Sequence, residues 1–263
     1  MSIKYMCIKF RVRRCRMGGK SNMIELIKQE PRDDGRDMII PFSVTLKDGC
    51  LTVECEEGLV ETAQEYERRF SEQPFSEEAR RFVADAVEAE TAGTHFSLDR
   101  SDLALDTVML CYNGKPEALD RYILRPTKLL PESRIGGCEN LTVFEADEIP
   151  AISDAGTNSG MIDSAELPVA AIVRDGKIIS LAATNGAPSD GKAEISVDTA
   201  EDYRRQGYGR SCVAALTREL LRRGLGVRYV SFGSNDPSLA LAHSIGFTEE
   251  SRCFDAVCYR DEA

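Results

Sequence analysis

The alternation of apolar and polar residues predicts a sheet in the second half of the chain. Five stretches have the length and spacing of strands, with β-branched residues clearest over 193–199, and a sixth is a short apolar run suited to the centre of a sheet. The predicted strands are 167–173, 177–184, 193–199, 227–232, 248–253 and 255–260. Tight turns are predicted at Asp175-Gly176 and between the last two strands, which would form a terminal hairpin.

Two helical patterns interrupt these strands. The first runs over 207–223 with one apolar stripe, and Gly224 supplies its stop. The second follows Asn235, with Asp236 as the predicted cap, Pro237 in the first turn and an end at Gly246. The element order is therefore β-β-β-α-β-α-β-β, which predicts a mixed sheet with helical crossovers.

The front of the chain has a different rhythm. Lys47-Asp48-Gly49 separates two strand-like runs, and helices are predicted over 59–70 and 75–92, the second opened by Ser76. Further strands are predicted at 103–112 and 122–124, whereas 150–166 has no period and predicts a loop. No catalytic motif stands before residue 116, which favours a packing or substrate-covering module.

The first 22 residues are basic, with seven Lys or Arg and no acidic residue. The alternatives for this segment are a strand, a basic tail, and an extension upstream of a true start at Met17 or Met23. We favour the tail or the extension and assign the segment no function.

Composition narrows the class of protein. The net charge of -11 argues against a nucleic-acid partner and mildly favours an amine substrate. No apolar run approaches the roughly 20 residues that span a bilayer, so no membrane partner is expected. The nine cysteines form no CxxC pair and the histidines lack zinc spacing, so we expect reduced thiols, no metal and a cytoplasmic location.

The chemistry concentrates in 193–209, AEISVDTAEDYRRQGYG. A strand leads through an acidic turn into a glycine-containing helix start. The first N–H groups of a helix lack intrahelical partners and carry partial positive charge, so they bind phosphate well. Gly207 and Gly209 let the backbone approach such a ligand. The stretch therefore predicts an anion cradle.

The motif Arg204-x-x-Gly207-x-Gly209 resembles that of the GNAT superfamily of acyl-CoA N-acyltransferases, in its FR47-like branch. Asn235-x-x-Ser238 and Gly246-Phe247 follow at the expected offsets, and the resemblance covers about 167–247. It implies an α/β fold that is built on a mixed sheet of the α+β kind. The GNAT-like domain is expected at the C-terminus. The expected division is a basic leader at 1–22, a smaller α+β module at 23–115 and the GNAT-like domain at 116–263, with 122–127 as the usual first strand.

The resemblance implies an acetyl-CoA site. The backbone of the strand would pair with the pantetheine arm, the cradle would take the pyrophosphate, and the Asn would contact the pantetheine. The implied binding residues are Val197, Asp198, Thr199, Arg204, Arg205, Gln206, Gly207, Tyr208, Gly209, Arg210, Asn235 and Ser238. Arg204 and Arg210 are equally well explained as surface arginines.

Catalysis needs a base, an oxyanion donor and an acid. The resemblance points to Glu194 as the base, with Asp198 as the spare on the same strand face, and to the Val197 N–H as the oxyanion donor. The family's thiol-protonating Tyr is replaced by Ala242. Neighbouring polar groups or water remain the alternatives for the acid: Ser238, His243 and Tyr203.

These observations predict an N-acetyltransferase that moves an acetyl group from acetyl-CoA to a primary amine of a small molecule or peptide. The alternative is a non-catalytic acyl-CoA sensor or interaction module. A nucleotide-binding protein is less consistent, because Cys212 stands where a third Gly would be needed. A homodimer is left open.

Overall fold

Eleven strands form one mixed sheet in the computed structural model, which describes residues 23–27, 38–123, 141–144, 167–174 and 177–261. The strands are β1 (Met23–Leu26), β2 (Met38–Lys47), β3 (Cys50–Cys55), β4 (Phe96–Leu98), β5 (Thr107–Tyr112), β6 (Leu141–Phe144), β7 (Val169–Arg174), β8 (Lys177–Thr184), β9 (Lys192–Thr199), β10 (Gly226–Phe232) and β11 (Phe247–Arg260). The helices are α1 (Val60–Phe70), α2 (Glu77–Thr91), α3 (Arg100–Leu103), α4 (Tyr208–Arg222) and α5 (Asp236–Ser244).

The strand order is β1-β3-β2-β11-β5-β10-β9-β8-β7-β6, and β4 pairs with β11 beside this path. Within the described ranges, β1 with β3 and β9 with β10 are the parallel pairs, and the other pairs are antiparallel. The mixed sheet and the additional N-terminal strands and helices confirm the predicted fold class. Because β5 lies between β10 and β11, the sheet continues across residue 115, and the division at 115/116 stays a prediction.

Two large buried clusters lie along the sheet, beside a small third one on β7 and β8. One gathers α4, α5 and the strands around β10, with Leu216 and Tyr229 among its members. The other gathers α1, α2 and the hairpin of β2 and β3, with Tyr66 and Phe42 in edge-to-face contact at 5.8 Å between ring centroids. Strand β11 contributes Phe247 to the first cluster and Phe254 to the second, so the last strand joins both.

The predicted terminal hairpin is wrong, because 247–260 is one continuous strand. Its first part pairs with β5 and its second with β2, so both parts are held by hydrogen bonds without a turn. The predicted turn position is occupied by Phe254, which is 1% exposed and pairs with Val44. No Gly, Pro, Asn or Asp-Gly supplies turn geometry at that point.

Two further expectations need correction. The strand predicted from Tyr122 does not begin there, because Pro116–Tyr122 is a 3-10 helix. In this helix, Leu119 is fully buried and Asp120 accepts a hydrogen bond from Arg218 of α4 at 2.6 Å. Residues 124–127 lie outside the described ranges. The strand predicted over 103–112 is confirmed only from Thr107, since α3 occupies its start.

The local turn chemistry is confirmed in the front module. Asp48 and Gly49 both have positive φ, 51° and 72°, which is the requirement of the tight turn that joins β2 to β3. The Ser76 hydroxyl accepts a hydrogen bond from the Ala79 N–H at 3.2 Å and caps α2. Strands β7 and β8 pair antiparallel up to Arg174 with Lys177, although the turn residues between them, like 1–22 and 150–166, lie outside the described ranges.

Glu250 links its own strand, β11, to three other strands, β5, β9 and β2. Its carboxylate accepts hydrogen bonds from the Cys111 thiol at 2.7 Å and from Lys192 at 2.8 Å. Lys47 adds an ion pair at 3.1 Å. These contacts lower the pKa of Glu250 from 4.5 to about 2, with the Cys111 bond as the largest cause and Lys192 next. Burial, and after it the hydrogen bond to the same carboxylate, raises the pKa of the Cys111 thiol.

Replacing Glu250 by Gln should destabilise the fold at neutral pH by on the order of 2 kcal/mol, because the lowered pKa measures the preference of the folded state for the charged carboxylate. That stabilisation is complete above about pH 4.5 and is lost as the pH falls toward 2. Urea unfolding from pH 7 to pH 2.5 should therefore show the two proteins converging in acid. Glu249→Gln, an exposed control, should cost at most about 1 kcal/mol. A constant difference between wild type and Glu250→Gln at all pH values would contradict this account.

Candidate active site

A gap opens in the sheet between β9 and β10. The parallel register runs from Lys192 with Gly226 to Ile195 with Tyr229 and then stops. Both strands continue, β9 to Thr199 and β10 to Phe232. Their carboxyl ends therefore separate in the middle of the sheet, which is where ligands bind in open sheets of this kind.

The outer neighbours keep both sides of this gap in place. On one side, β9 stays paired with β8 as far as Thr199 with Ser180, whose hydroxyls are 2.8 Å apart. On the other side, β10 stays paired with β5 as far as Phe232 with Thr107. The opening is therefore a break in one ladder between two intact ones.

The hydrogen-bond pattern shows which peptide groups face the gap. The Asn185 N–H donates to the Glu194 carbonyl at 2.8 Å, and the Ala200 N–H donates to the Ile179 carbonyl at 2.9 Å. Bonded pairs alternate in an antiparallel ladder, so the even residues of β9 bond to β8 and the odd ones turn toward β10. The N–H and carbonyl of Val197 consequently face the gap, beyond the last residue pair.

The neighbouring peptide group is already engaged. The Thr199 N–H donates to the Asp198 carboxylate at 2.7 Å, and the Thr199 carbonyl accepts from the Arg204 guanidinium at 2.9 Å. Asp198 thus orders the end of β9, with Arg204 at 4.0 Å from its carboxylate. Val197 is the residue of β9 that offers an edge to a ligand.

The cradle at the start of α4 contains two residues in the left-handed region. Gly207 is the N-cap with φ of 87°, and Arg205 also lies in the left-handed region with φ of 60°. Alternating left-handed residues turn successive N–H groups into one concavity, and a helix start adds its partial positive charge. No side chain caps this helix start and no acidic residue occupies its first turn.

The side chains around the cradle are basic and exposed. Arg204, Arg205 and Arg210 line the turn, and the Arg210 guanidinium lies 3.7 Å from the position a Cβ on Gly207 would take. The Gln206 amide donates to the Asp202 carbonyl at 3.0 Å and so stabilises the turn itself. The turn is therefore suited to a phosphate-bearing group.

Gly209 sits where α4 touches β9 and α5. A Cβ at this position would lie 3.0 Å from Thr199 Oγ1, 3.3 Å from Leu241 Cδ1 and 3.4 Å from Val197 Cγ2. A side chain there would force these neighbours or the helix start to shift. The second Gly of the motif thus holds the cradle close to the gap.

The start of α5 closes the other side. The Asn235 side chain accepts a hydrogen bond from the Ser238 N–H at 3.3 Å, so Asn235 caps the helix and the prediction that Asp236 does so is wrong. Pro237 lies in the first turn, as predicted. The Ser238 hydroxyl is 2.8 Å from the hydroxyl of Tyr229.

Glu194 lies on the sheet face opposite α4. The buried residues Ala193 and Ile195 point toward the helices, so the residue between them points away. The Asn185 amide donates to the Glu194 carboxylate at 3.2 Å and also accepts from the Ser196 hydroxyl at 2.9 Å. A polar set thus flanks the gap across the sheet from the cradle.

The remaining predicted acid candidates, His243 and Tyr203, have contacts of their own. One ring nitrogen of His243 is 3.1 Å from the Phe247 carbonyl, which fixes it at the far end of α5. Tyr203 packs edge-on against Tyr208 at 6.1 Å and under the Arg174 guanidinium at 5.6 Å. Ala242 is fully buried.

Sequence reasoning overlooked Tyr229. The structure brings the end of β9, the cradle and the start of α5 around one gap, and Tyr229 stands at its base, 2% exposed. In the sequence, Tyr229 is typical of a core residue, because it lies in a short apolar run that is suited to a central strand. A polar partner for its buried hydroxyl is the signal that could have identified it.

No helix in the part of the chain that the structure describes is long and apolar enough to cross a membrane. Among these same residues, no group of three or more His, Cys, Asp or Glu side chains is placed to hold a metal ion.

Comparison with known proteins agrees with this geometry. Residues 170–253 match the family model described as GNAT acetyltransferase, so this part of the chain is a GNAT acetyltransferase domain. The match spans β7 to β11 and includes the gap, the cradle and the start of α5. No curated protein matches the chain.

Solved structures show distant similarity. A GCN5-related N-acetyltransferase-like protein from Streptococcus suis is 19% identical, with 66% of this chain and 68% of that chain covered and a TM-score of 0.44. A GNAT-family acetyltransferase from Colwellia psychrerythraea is 12% identical, with 72% and 75% covered and a TM-score of 0.43. These values are too low to transfer any property to this chain.

Replacing Gly209 by Val should destabilise the protein by about 1–3 kcal/mol, because the added carbons overpack the contact with Thr199 and Leu241. Urea unfolding measures this loss. Ala240→Val, at an exposed position of α5, is the control and should cost about 0.5 kcal/mol from helix propensity alone. Equal stability of the two variants would show that α4 does not depend on close approach to β9.

Proposed function

We propose that this protein transfers an acetyl group from acetyl-CoA to a primary amine of a small molecule or peptide. At the family level, the GNAT domain supports an acyl-CoA N-acyltransferase. The observation that carries the finer proposal is the open edge of Val197 beside the uncapped start of α4. A ligand with an amide-bearing arm and a pyrophosphate has the two features that these groups bind.

The residues present fit acetyl-CoA. The N–H and carbonyl of Val197 can pair with an extended chain carrying amides, as an added strand would. The N–H groups from Gln206 to Arg210 can take a pyrophosphate, and the basic side chains beside them add charge-assisted bonds. When bound, acetyl-CoA supplies the activated acyl group. The protein orients the acyl group and stabilises the negative charge that develops on its carbonyl oxygen.

Glu194 is the base in this proposal. Its carboxylate lies on the face opposite α4, so an amine can approach from one side of the sheet while the cradle holds the donor on the other. It takes the proton of the amine directly or through a water molecule. Asp198 is the weaker choice, because its carboxylate already accepts from the Thr199 N–H at 2.7 Å.

The acidic net charge of -11 favours amines among acceptors, since it raises the local concentration of cations. The cytoplasmic location and the absence of nucleic-acid and membrane partners stay predictions. Whether the protein forms a homodimer is also left open.

A non-catalytic acyl-CoA sensor is the second candidate, favoured by Ala242 at the place where the resemblance expects an acidic Tyr. Release of the CoA thiol from acetyl-CoA, measured with a panel of primary amines, separates the two. Amine-dependent thiol release supports the transferase. Tight CoA binding by calorimetry without turnover of any amine supports the sensor.

Glu194→Gln should lower kcat by about 100-fold or more, because general-base catalysis contributes about that much. The affinity for acetyl-CoA should stay the same, since the side chain lies on the opposite face from the cradle. Thiol release and calorimetry measure the two effects. Asp198→Asn is the matched control and should reduce kcat less. If Asp198→Asn shows the larger loss in kcat, the base is assigned to the wrong carboxylate.

A further inference from the structure

Tyr229 and Ser238 form a hydroxyl pair at the base of the gap, with their oxygens 2.8 Å apart. Tyr229 belongs to the last residue pair of the β9–β10 ladder and is 2% exposed. Ser238 lies in the first turn of α5 and is partly exposed. The pair therefore connects a buried phenol to the edge of the opening.

The helix that carries Ser238 meets the end of β9. The site of a Cβ on Gly209 is 3.3 Å from Leu241 Cδ1 and 3.4 Å from Val197 Cγ2, so α5 and β9 meet at the same point. Ser238 is one turn before Leu241 and nearer the carboxyl end of β10. Its hydroxyl thus stands on the helix that faces the open part of β9.

Either hydroxyl of the pair can be the donor, and the direction from Tyr229 to Ser238 is the one that our inference uses. Burial raises the pKa of Tyr229, so the phenol keeps its proton at neutral pH. A protonated phenol that donates to Ser238 Oγ leaves the hydrogen of the serine free to point elsewhere. The Ser238 N–H is fixed on the Asn235 side chain at 3.3 Å, which holds the residue in place. The Asn235 side chain thus holds the backbone of Ser238, and the Tyr229 phenol contacts its hydroxyl.

We propose that the Ser238 hydroxyl donates a hydrogen bond to the sulfur that leaves the thioester, and that Tyr229 is the positioning residue that directs this hydrogen. This inference rests on the proposed function. It assigns the stabilisation of the leaving group to a strand residue and a helix residue together.

The step balances without a proton from Tyr229. The amine nitrogen forms a bond to the carbonyl carbon and gives its proton to Glu194. The C–S bond breaks, and its electron pair stays on sulfur. The Ser238 hydrogen bond stabilises that thiolate, which takes a proton from solvent on release, and Glu194 returns its own proton to solvent. A thiol with a pKa of about 8.5 needs no stronger acid.

The test compares acetyl-CoA with its selenoester analogue, using the amine that wild type turns over fastest. A selenolate is a more stable anion than a thiolate, so it depends less on a hydrogen bond. With acetyl-CoA, Ser238→Ala should lower kcat by about 10- to 100-fold, and Tyr229→Phe by about 3- to 10-fold. With the selenoester, both losses should shrink by at least about threefold, and Ser238→Thr, which keeps a hydroxyl, should restore most activity.

Two controls distinguish this role from a structural one. Ser244→Ala and Tyr259→Phe should leave kcat unchanged with both donors. Ser244 also lies on α5, and the Tyr259 hydroxyl donates to Asp102 at 2.6 Å, away from the gap. Equal losses with the two donors, or a change in KM alone, would overturn the inference and leave the proposed function standing. Absence of turnover by wild type with both donors would overturn the proposed function, and this inference with it.

Discussion

The architecture of the candidate site depends on one interrupted ladder of backbone hydrogen bonds. Backbone N–H and C=O groups are strong hydrogen-bonding groups, so a strand edge that opens inside a sheet leaves peptide groups able to bind a ligand. Here the ladder between β9 and β10 stops at Ile195 and Tyr229, while the ladders on both outer sides continue. The fold thus holds the Val197 peptide group toward an opening that a ligand can fill.

That opening requires more than the segment that matches the GNAT family. Strand β5, which comes before residue 116 in the chain, supplies the antiparallel partner of β10 and of the first part of β11. Without it, β10 would lose the neighbour that supports its splayed end. The N-terminal module is joined further through β11, which pairs with β2 and carries Phe254 into the second core. The front of the chain is therefore part of the scaffold of the site.

Much of the fold and site could be predicted from sequence where local chemistry dominates. The turn at Asp48-Gly49, the Ser76 cap and the left-handed Gly207 each follow from one or two residues. Long-range pairing was beyond such reasoning. Nothing near Phe254 indicates that β2 lies opposite, so two short strands joined by a turn were predicted where one long strand runs.

The same limit applies to the site. The motif from Arg204 to Gly209 predicted a cradle because helix starts bind anions wherever they occur. The contact of Gly209 with both β9 and α5, and the bond between Tyr229 and Ser238, depend on how the elements pack. Those features became visible only when the strands and helices were brought together.

The central claim is that the Val197 peptide group offers an open edge that acetyl-CoA covers. Residue-resolved amide hydrogen exchange by NMR, with and without saturating CoA, tests it most directly. The account predicts fast exchange at the Val197 N–H in the free protein and strong protection with CoA, while Ile195, within the paired ladder, stays protected in both states. Slow exchange at Val197 in the free protein, or no change on saturation with CoA, would contradict it.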